Sequence, residues 1–105
     1  MEKITICRFE DAPVAMQHPE GRKMFTSEKL GIVHLTLQPG EKVATHTNPF
    51  DVVFFVLSGE GILNADDQLI TAGTGTCIEV PPGIERGWEN NGTKELKILV
   101  IKDFS

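Results

Sequence analysis

A stretch in the middle of the chain, residues 40–59, decides the fold and reads GEKVATHTNPFDVVFFVLSG. It opens at Gly40, directly after Pro39, and closes at Gly59, so turn-forming residues bound it on both sides. Near its end, the six residues from Val52 to Leu57 are all apolar. A short apolar run bounded by turns predicts a strand, and a strand that is apolar on both faces must be covered on both.

Further short strands are predicted on both sides of this stretch. Gly31 to Gln38 alternates between apolar and polar residues, which is typical of a strand with one buried face. Asp66 and Asp67 lie between two apolar segments and predict the turn of a hairpin. Met16 to Lys23 is mostly polar and predicts a surface loop. The other predicted strands are Ile4–Phe9, Ile62–Ala65, Gln68–Thr71, Thr76–Val80, Arg86–Glu89 and Leu96–Ile101.

The whole chain, residues 1–105, is expected to form a single domain, because 105 residues are too few for two separate cores. The chain is rich in Val, Ile, Thr and Phe, and its ten Gly and six Pro residues divide the apolar runs into short segments. These features predict an all-β fold, either a jelly roll or a small barrel that closes its sheet and hides the strand edges.

Charge and hydropathy exclude several classes of function. The net charge is −5 and the Lys and Arg residues are scattered, so nucleic acid is not an expected partner. The longest apolar run is too short to cross a bilayer, and no apolar segment follows the first three residues, so a membrane partner is not expected either. Cys7 and Cys77 lack redox or zinc-binding spacing and are expected to be buried, reduced thiols in strands. A cytoplasmic protein is the resulting prediction.

The stretch at 40–59 also resembles the first motif of the cupin superfamily, which runs from a Gly through His-x-His and a Glu to a second Gly. Gly40 and Gly59 match the two ends of the motif, and His46 matches its first His. Asn48 stands where the second His would be, and the place of the Glu is taken by Val52. The turn residues are therefore kept, whereas two of the three metal-binding side chains are replaced.

Residues 75–90 are similar to the second cupin motif, a Gly followed by Pro-x-Gly, a His and an Asn. The turn residues of that motif are present as Gly75, Pro81, Gly83 and Asn90. Arg86 takes the place of the His. Gly permits positive φ at strand corners and Pro fixes the following turn, so these residues specify a barrel rather than an activity. The resemblance covers about residues 40–90 and implies a small cupin with a double-stranded β-helix fold.

In metal-binding cupins the four motif positions converge inside the barrel and hold a transition-metal ion. The resemblance places four residues at those positions: His46, Asn48, Val52 and Arg86. An amide is a poor ligand for such an ion, valine has no donor atom, and a guanidinium repels a cation. No cofactor is therefore expected, and His46 is the one retained ligand position. The alternative is a divalent metal held by a reduced ligand set, for instance His46 with Asp51.

The same resemblance predicts a ligand-binding cavity at the centre of the barrel. Arg suits a carboxylate, phosphate or sulfate, His can transfer a proton, and Asn can both donate and accept hydrogen bonds. Trp88, two residues beyond Arg86 on the same side of its strand, offers a flat apolar wall. The residues predicted to bind the ligand are His46, Asn48, Val52, Phe54, Arg86 and Trp88. The expected ligand is a small anionic or sugar-like molecule.

Other interpretations of these residues stay open. If the role of Arg86 is structural, it is expected to pair with a carboxylate, of which the nearby candidates are Asp51, Glu79 and Glu85. If His46 is a general base and Arg86 holds the substrate, the protein is a metal-independent isomerase, epimerase or lyase acting on a sugar or keto acid. A structural module with a filled cavity is a further alternative.

The central apolar strand also predicts an interface. If Val52 and Phe54 face the cavity, then Val53, Phe55 and Leu57 face outward. Three adjacent apolar side chains on an outer face indicate a surface that is buried in an assembly, and a homodimer is the expected arrangement.

Overall fold

The computed structural model describes residues 3–105; Met1 and Glu2, part of the expected single domain, lie outside the described residues. Ten strands and one short 3-10 helix at Phe9–Asp11 make up the regular structure. No helix among the described residues has the length and apolarity that a membrane crossing requires. The strands are β1 (Val14–Gln17), β2 (Glu20–Thr26), β3 (Leu30–Leu37), β4 (Lys42–His46), β5 (Asp51–Ser58), β6 (Glu60–Ala65), β7 (Gln68–Gly73), β8 (Cys77–Val80), β9 (Arg86–Glu89) and β10 (Leu96–Asp103). The all-β prediction is confirmed.

The ten strands form two antiparallel sheets that enclose one hydrophobic core. Six strands lie in the order β1-β2-β3-β10-β5-β8, and four lie in the order β4-β9-β6-β7. The chain passes from one sheet to the other after β3, β4, β5, β7, β8 and β9. This winding places β4 and β9, which carry parts of the two sequence motifs, opposite β3, β5 and β10.

The core follows the period of two that the central strand predicts. On β5, Val52, Phe54 and Val56 are buried between the sheets, whereas Phe55 and Leu57 are exposed on the outer side. Buried apolar side chains of the other strands complete the core: Leu35, Leu37, Leu63, Ala72, Val80, Trp88, Leu96, Ile98 and Val100. The predicted division of β5 into an inner and an outer face is confirmed. The expected burial of the two cysteines in strands is wrong, because Cys77 is exposed beside Phe55 on the outer face and Cys7 is only partly buried and lies outside any strand.

Glycines at the corners allow the chain to change sheets. The four glycines of the two motifs have φ values between 83° and 92°: Gly40, Gly59, Gly75 and Gly83. At Gly59 space is limiting as well, because a Cβ would lie 3.0 Å from the Cα of Leu96 and closer still to the carbonyl oxygen of Glu95. Only glycine meets both conditions without strain.

Two predicted elements in the middle of the chain are confirmed. The alternating segment at Gly31–Gln38 is β3, which pairs with both β2 and β10. The predicted hairpin consists of β6 and β7, and its turn contains Asp66 with a φ of 48°. Asp tolerates this left-handed conformation better than most residues, which is why an Asp-Asp pair is a useful turn signal.

Two predictions near the N-terminus are wrong. The expected strand at Ile4–Phe9 does not form, and residues 3–8 have no regular structure. Within the described chain no strand lies beside this segment to pair with it. The expected loop at Met16–Lys23 is instead a hairpin of β1 and β2 that turns at His18 and Pro19. All four residues of β1 are exposed, and an exposed edge strand needs no apolar face to mark it.

Candidate functional site

A cavity of about 310 Å³ lies between the two sheets, and most of the predicted site residues line it. The end of β4, the loop that follows it and the start of β9 supply polar residues, whereas β3 and β10 supply apolar walls such as Leu35 and Val100. Five of the six residues predicted to bind a ligand lie on its surface: His46, Asn48, Phe54, Arg86 and Trp88. The two motifs therefore meet at one place in the fold.

Val52 is the predicted site residue that does not line the cavity. It shares the inner face of β5 with Phe54, as the alternation predicts. Its side chain, however, is only 1% exposed and belongs to the hydrophobic core. Strand parity predicts the face on which a side chain lies, but not how far along the strand the cavity extends. Val52 is therefore a core residue rather than a ligand contact.

Arg86 is a deeply buried cation in the cavity wall, with only 4% of its surface exposed. It begins β9 and lies opposite His46 in the pairing of β9 with β4. Its Nη1 donates a hydrogen bond to the main-chain carbonyl oxygen of His46 at 3.0 Å. Burial lowers the pKa of the guanidinium, but its ordinary value is so high that the group stays charged at neutral pH. The cavity thus contains a permanent positive charge.

The carboxylates that were expected to pair with Arg86 lie elsewhere. Within the described chain, no Asp or Glu oxygen approaches the Arg86 guanidinium within the 4.0 Å of an ion pair. Glu85 instead accepts a hydrogen bond from the hydroxyl of Thr45 at 3.0 Å. Asp51 shares a hydrogen bond with Glu79, and this bond raises the pKa of Glu79. Arg86 is therefore not part of a structural ion pair.

Asn48 and His46 complete the polar end of the cavity. With its amide oriented to suit its neighbours, Asn48 accepts a hydrogen bond from Nη2 of Arg86 at 2.5 Å and donates one to the carbonyl oxygen of Thr47 at 3.1 Å. Nδ1 of the exposed His46 lies 3.0 Å from the carbonyl oxygen of Ala44. Because a carbonyl oxygen only accepts, Nδ1 carries the hydrogen, which leaves Nε2 as the basic nitrogen.

Phe54 and Trp88 form an aromatic wall beside Arg86. Their rings pack edge to face, with centroids 5.4 Å apart and an interplanar angle of 81°. The guanidinium carbon of Arg86 lies 5.9 Å from the centre of the Phe54 ring. Nε1 of Trp88 is buried and has no hydrogen-bond partner in the described part of the chain. The wall is therefore apolar and holds one unused N–H donor.

Two lysines that belong to neither motif also line the cavity: Lys23 of β2 and Lys102 of β10. Burial, followed by the positive charges of Arg86 and Lys23, lowers the pKa of Lys102. Lys102 has the same parity as Val100 on β10, and this signal was available in the sequence. Lys23 was not recognisable in this way, because its segment lacks the pattern of a strand.

The charged side chains that line the cavity are all positive. Arg86, Lys23 and Lys102 line it, whereas none of its lining residues, taken over the described chain, is Asp or Glu. Neighbouring positive charges repel one another, and water screens this repulsion poorly where side chains are buried. An anion placed between the three side chains would be attracted by all of them.

The donor atoms at the four motif positions do not fit a transition-metal ion. The amide of Asn48 is bonded to Arg86, and Val52 has no donor atom. No group of three or more His, Cys, Asp or Glu side chains within residues 3–105 is placed to hold one ion. Asp51, the alternative ligand, shares the outer face of β5 with Val53 and contacts Glu79 there. The side chains around His46 suit an anion better than a cation.

The sequence matches one protein family. A family model described as a cupin domain matches residues 33–102, which include all strands that carry the two motifs. The chain therefore belongs to the cupin family. No curated protein matches the chain in sequence.

Solved structures of other cupins share this fold. An RmlC-like cupin from Shewanella frigidimarina is similar with a TM-score of 0.85 at 15% identity, over 98% of this chain and 93% of that one. An RmlC-like cupin family protein with a double-stranded β-helix fold, from Methanocaldococcus jannaschii, has a TM-score of 0.78 at 22% identity, over 98% and 91%. The polyketide cyclase RemF from Streptomyces resistomycificus has a TM-score of 0.79 at 17% identity, over 100% and 80%. These similarities establish the double-stranded β-helix fold and leave the activity to be argued from the site.

Proposed function

We propose that the cavity binds a small organic carboxylate with an apolar body. The observation that carries this proposal is Arg86, which lines the cavity, is 4% exposed and has no carboxylate partner in the described chain. Burying a charge without a partner is costly, and an anion that binds beside it offsets part of that cost. The main chain of His46 and the amide of Asn48 use two of the five guanidinium N–H donors, so the others remain for a ligand.

The two lysines extend the positive field from Arg86 towards solvent. Lys102 is half-buried and Lys23 is exposed, so the cationic groups span the depth of the cavity. The net charge of the whole chain is −5, which makes this positive field a local property of the cavity. A field of this kind raises the local concentration of small anions and speeds their association.

The apolar part of the wall defines the rest of the ligand. Met16, Val33, Phe54 and Trp88 contribute apolar surface, and a volume of about 310 Å³ is at the lower end of the range of ligand pockets. A sugar would need many hydrogen-bond partners, which such a wall does not offer. Branched aliphatic or small aromatic carboxylates fit this combination best.

Melting temperatures measured with matched acids and amides test this proposal. A ligand at about 100 times its Kd stabilises the native state by about 2.7 kcal/mol, which raises the Tm of a domain of this size by about 10 °C or more. We expect such a shift with 4-methylpentanoate or phenylacetate and none with 4-methylpentanamide, which has the same apolar body without the charge. The proposal is wrong if no acid in a panel of this class raises the Tm, or if the amide is equally effective.

We further propose that binding requires no metal ion. Asn48 and Arg86, which replace two metal-binding histidines, are hydrogen-bonded to each other, and the charge of Arg86 opposes a nearby cation. Elemental analysis of protein purified without a metal-binding tag should find far less than one transition-metal ion per chain, and a chelator should leave carboxylate affinity unchanged. One tightly bound ion per chain, with binding lost on chelation, would contradict this.

The orientation of His46 favours a second function, metal-independent proton transfer. Its Nε2 is the basic nitrogen, and the side chain lines the cavity together with Arg86. A base and a cation in one cavity are what an isomerase or lyase acting on a keto acid needs. Such an enzyme would exchange the C3 hydrogens of a 2-oxo acid with heavy water, which NMR detects. Exchange at the same rate in a His46→Ala variant that still binds the acid would remove this function.

We also propose that a second copy of the chain covers the outer face of the six-stranded sheet. Phe55 and Leu57 are exposed there, and Phe9 packs on His34 of the same face with ring centroids 4.7 Å apart. The segment before Phe9 is therefore continuous with this face, and it carries Ile4, which is 90% exposed. Two copies would bury both apolar surfaces at once.

Light scattering coupled to size exclusion tests this association. We expect twice the chain mass of 11.6 kDa for the wild type and a shift towards the monomer for Phe55→Glu. Cys77 pairs with Phe55 across the strands and is an exposed free thiol in the single chain, so its reaction with a thiol reagent should be slower in the dimer. A monomer at every concentration would overturn the proposal.

A further inference from the structure

The side-chain amine of Lys102 belongs to the cavity but has no part in the folding contacts described so far. It lies near the end of β10 on the same face as Val100, and both side chains line the cavity. Lys97 lies on the same strand with the opposite parity, and its Nζ is 3.5 Å from a carboxylate oxygen of Glu95. On β10, therefore, Lys97 on the outer face has a carboxylate partner, whereas Lys102 on the inner face has none within the described chain.

The surroundings of Lys102 favour the free amine over the ammonium ion. No carboxylate in the described chain lies within ion-pair distance of its Nζ, whereas Arg86 and Lys23 line the same cavity. Burial and these two positive charges lower its pKa. A lysine that is desolvated and close to other cations is a better nucleophile near neutral pH than a lysine in water, because a larger fraction of it carries a lone pair.

We propose that Lys102 forms an imine with the carbonyl group of an oxo acid whose carboxylate is held by Arg86. This inference rests on the carboxylate-binding function proposed above and adds the chemical class of the ligand. A carboxylate on Arg86 places the rest of a small molecule among the apolar side chains. Within the described residues, Lys102 and Lys23 are the only lysines that line the cavity. Lys23 is exposed, so its amine remains hydrated and mostly protonated.

The reaction is a condensation without any change of oxidation state. The lone pair of the Lys102 nitrogen attacks the carbonyl carbon, and the new C–N bond forms as the C=O π pair moves to oxygen. The nitrogen then gives up its two protons and the former carbonyl oxygen leaves as water, which yields a C=N double bond. A proton from solvent then makes the imine cationic, and the carboxylate on Arg86 partly compensates that charge.

Reductive trapping tests the proposal on the full chain. The probe is 4-methyl-2-oxopentanoate with sodium cyanoborohydride, which delivers hydride to the imine and leaves a stable secondary amine. The chain should gain the mass of the acid less one oxygen atom, and peptide mapping should place the adduct on Lys102, labelled at least about tenfold faster than Lys97. Labelling should persist below the pH at which an ordinary lysine, with a pKa of about 10.4, becomes reactive.

Matched variants and a matched ligand separate the possible outcomes. Lys102→Arg keeps the charge and should lose the adduct, Lys102→Met provides a second test if the Arg variant does not fold, and Lys97→Arg should react as the wild type does. If 4-methylpentanoate binds but the oxo acid labels Lys102 no faster than surface lysines, the imine is refuted while carboxylate binding stands. If neither acid binds, both proposals fail. An adduct confined to Lys102 and absent in both of its variants supports the imine.

Discussion

Two concave regions of the molecule differ in the charges that line them, since one carries both signs and the other only positive charge. A groove of about 410 Å³ on the outer side of the six-stranded sheet is lined by Arg22 and Lys97 together with three carboxylates, those of Glu20, Glu41 and Glu95. The cavity between the sheets is smaller, about 310 Å³, and contains three cations but no carboxylate among the described residues. In the larger region every cation has carboxylates nearby, whereas the charged side chains that line the smaller region are all positive.

Each region contains one arginine, and the two arginines differ in how their charge is compensated. Arg22 forms an ion pair with Glu20 at 3.2 Å, donates to the carbonyl oxygen of Phe9 at 3.0 Å and lies 4.5 Å above the centre of the Phe9 ring. Arg86 is more deeply buried, yet within the described chain its hydrogen bonds go only to a main-chain carbonyl and an amide, and its other contact is the Phe54 ring, 5.9 Å from the guanidinium carbon. An arginine whose charge is met by its own chain stabilises the fold. One whose charge is left unmet inside a cavity is available to a ligand.

The largest expected effect comes from removing the unmet charge. Arg86→Met should weaken the binding of 4-methylpentanoate about 100-fold, because truncating one partner of a buried charge pair typically costs several kcal/mol. The free energy of unfolding without ligand should change by less than about 1 kcal/mol, because the loss of the two hydrogen bonds to His46 and Asn48 is offset by removal of a buried charge that has no ion-pair partner. Calorimetric titration and denaturant unfolding measure the two quantities. A large loss of stability with unchanged affinity would reverse the roles assigned to Arg86 and Arg22.

The matched substitution on the outer side should have the opposite profile. Arg22→Met removes an ion pair, main-chain hydrogen bonds and a cation–π contact, so we expect the free energy of unfolding to fall by about 2 kcal/mol. Affinity for 4-methylpentanoate should stay within twofold of the wild type, about 0.4 kcal/mol. If this variant also lost carboxylate binding, the two regions would be coupled and the comparison would no longer hold.

The smallest expected effect concerns the two lysines of β10. In the folded protein burial and the charges of Arg86 and Lys23 lower the pKa of Lys102 below its value in the unfolded chain. Between these two values the unfolded chain binds more protons, so stability rises with pH in that range. At neutral pH, Lys102→Met should therefore be more stable than the wild type by about 0.5 kcal/mol, because solvent screens much of the repulsion.

Denaturant unfolding as a function of pH checks this expectation. The advantage of Lys102→Met should shrink as the pH rises towards the ordinary pKa of lysine, about 10.4, and should disappear above it, where the wild-type amine is neutral in both the folded and the unfolded chain. Lys97→Met loses the ion pair with Glu95 instead and should show no such gain. Equal pH profiles for the two variants would mean that Lys102 is fully solvated.

Strands with turn signals at both ends could be predicted from the sequence, whereas pairing partners could not. β3 and the hairpin of β6 and β7 have both alternation and turn residues, and both were predicted. Ile4–Phe9 alternates equally well but has no partner strand among residues 3–105. Local pattern shows whether a segment is suited to a sheet, but the geometry of the rest of the fold determines whether an edge is free.

The site was predictable where it lies on the two motifs and unpredictable where it lies outside them. The spacing of the motif residues placed Arg86 and Trp88 beside His46, because turn residues hold those strands in a defined register. Val52 was assigned to the site because it stands at the place of the motif's Glu, but neither a motif position nor strand parity gives depth, and its side chain lies in the hydrophobic core. Lys23 could not be found, since a polar edge strand and a loop look alike in sequence.

Gly87, between Arg86 and Trp88, bears on any attempt to redesign this protein. A Cβ at position 87 would lie 3.0 Å from the main-chain nitrogen of Thr45 and closer still to the carbonyl oxygen of Val43. β9 and β4 are therefore in direct backbone contact, and the spacing between guanidinium and indole is not adjustable by mutation there. A library meant to alter ligand preference should leave this glycine untouched and diversify the opposite wall instead.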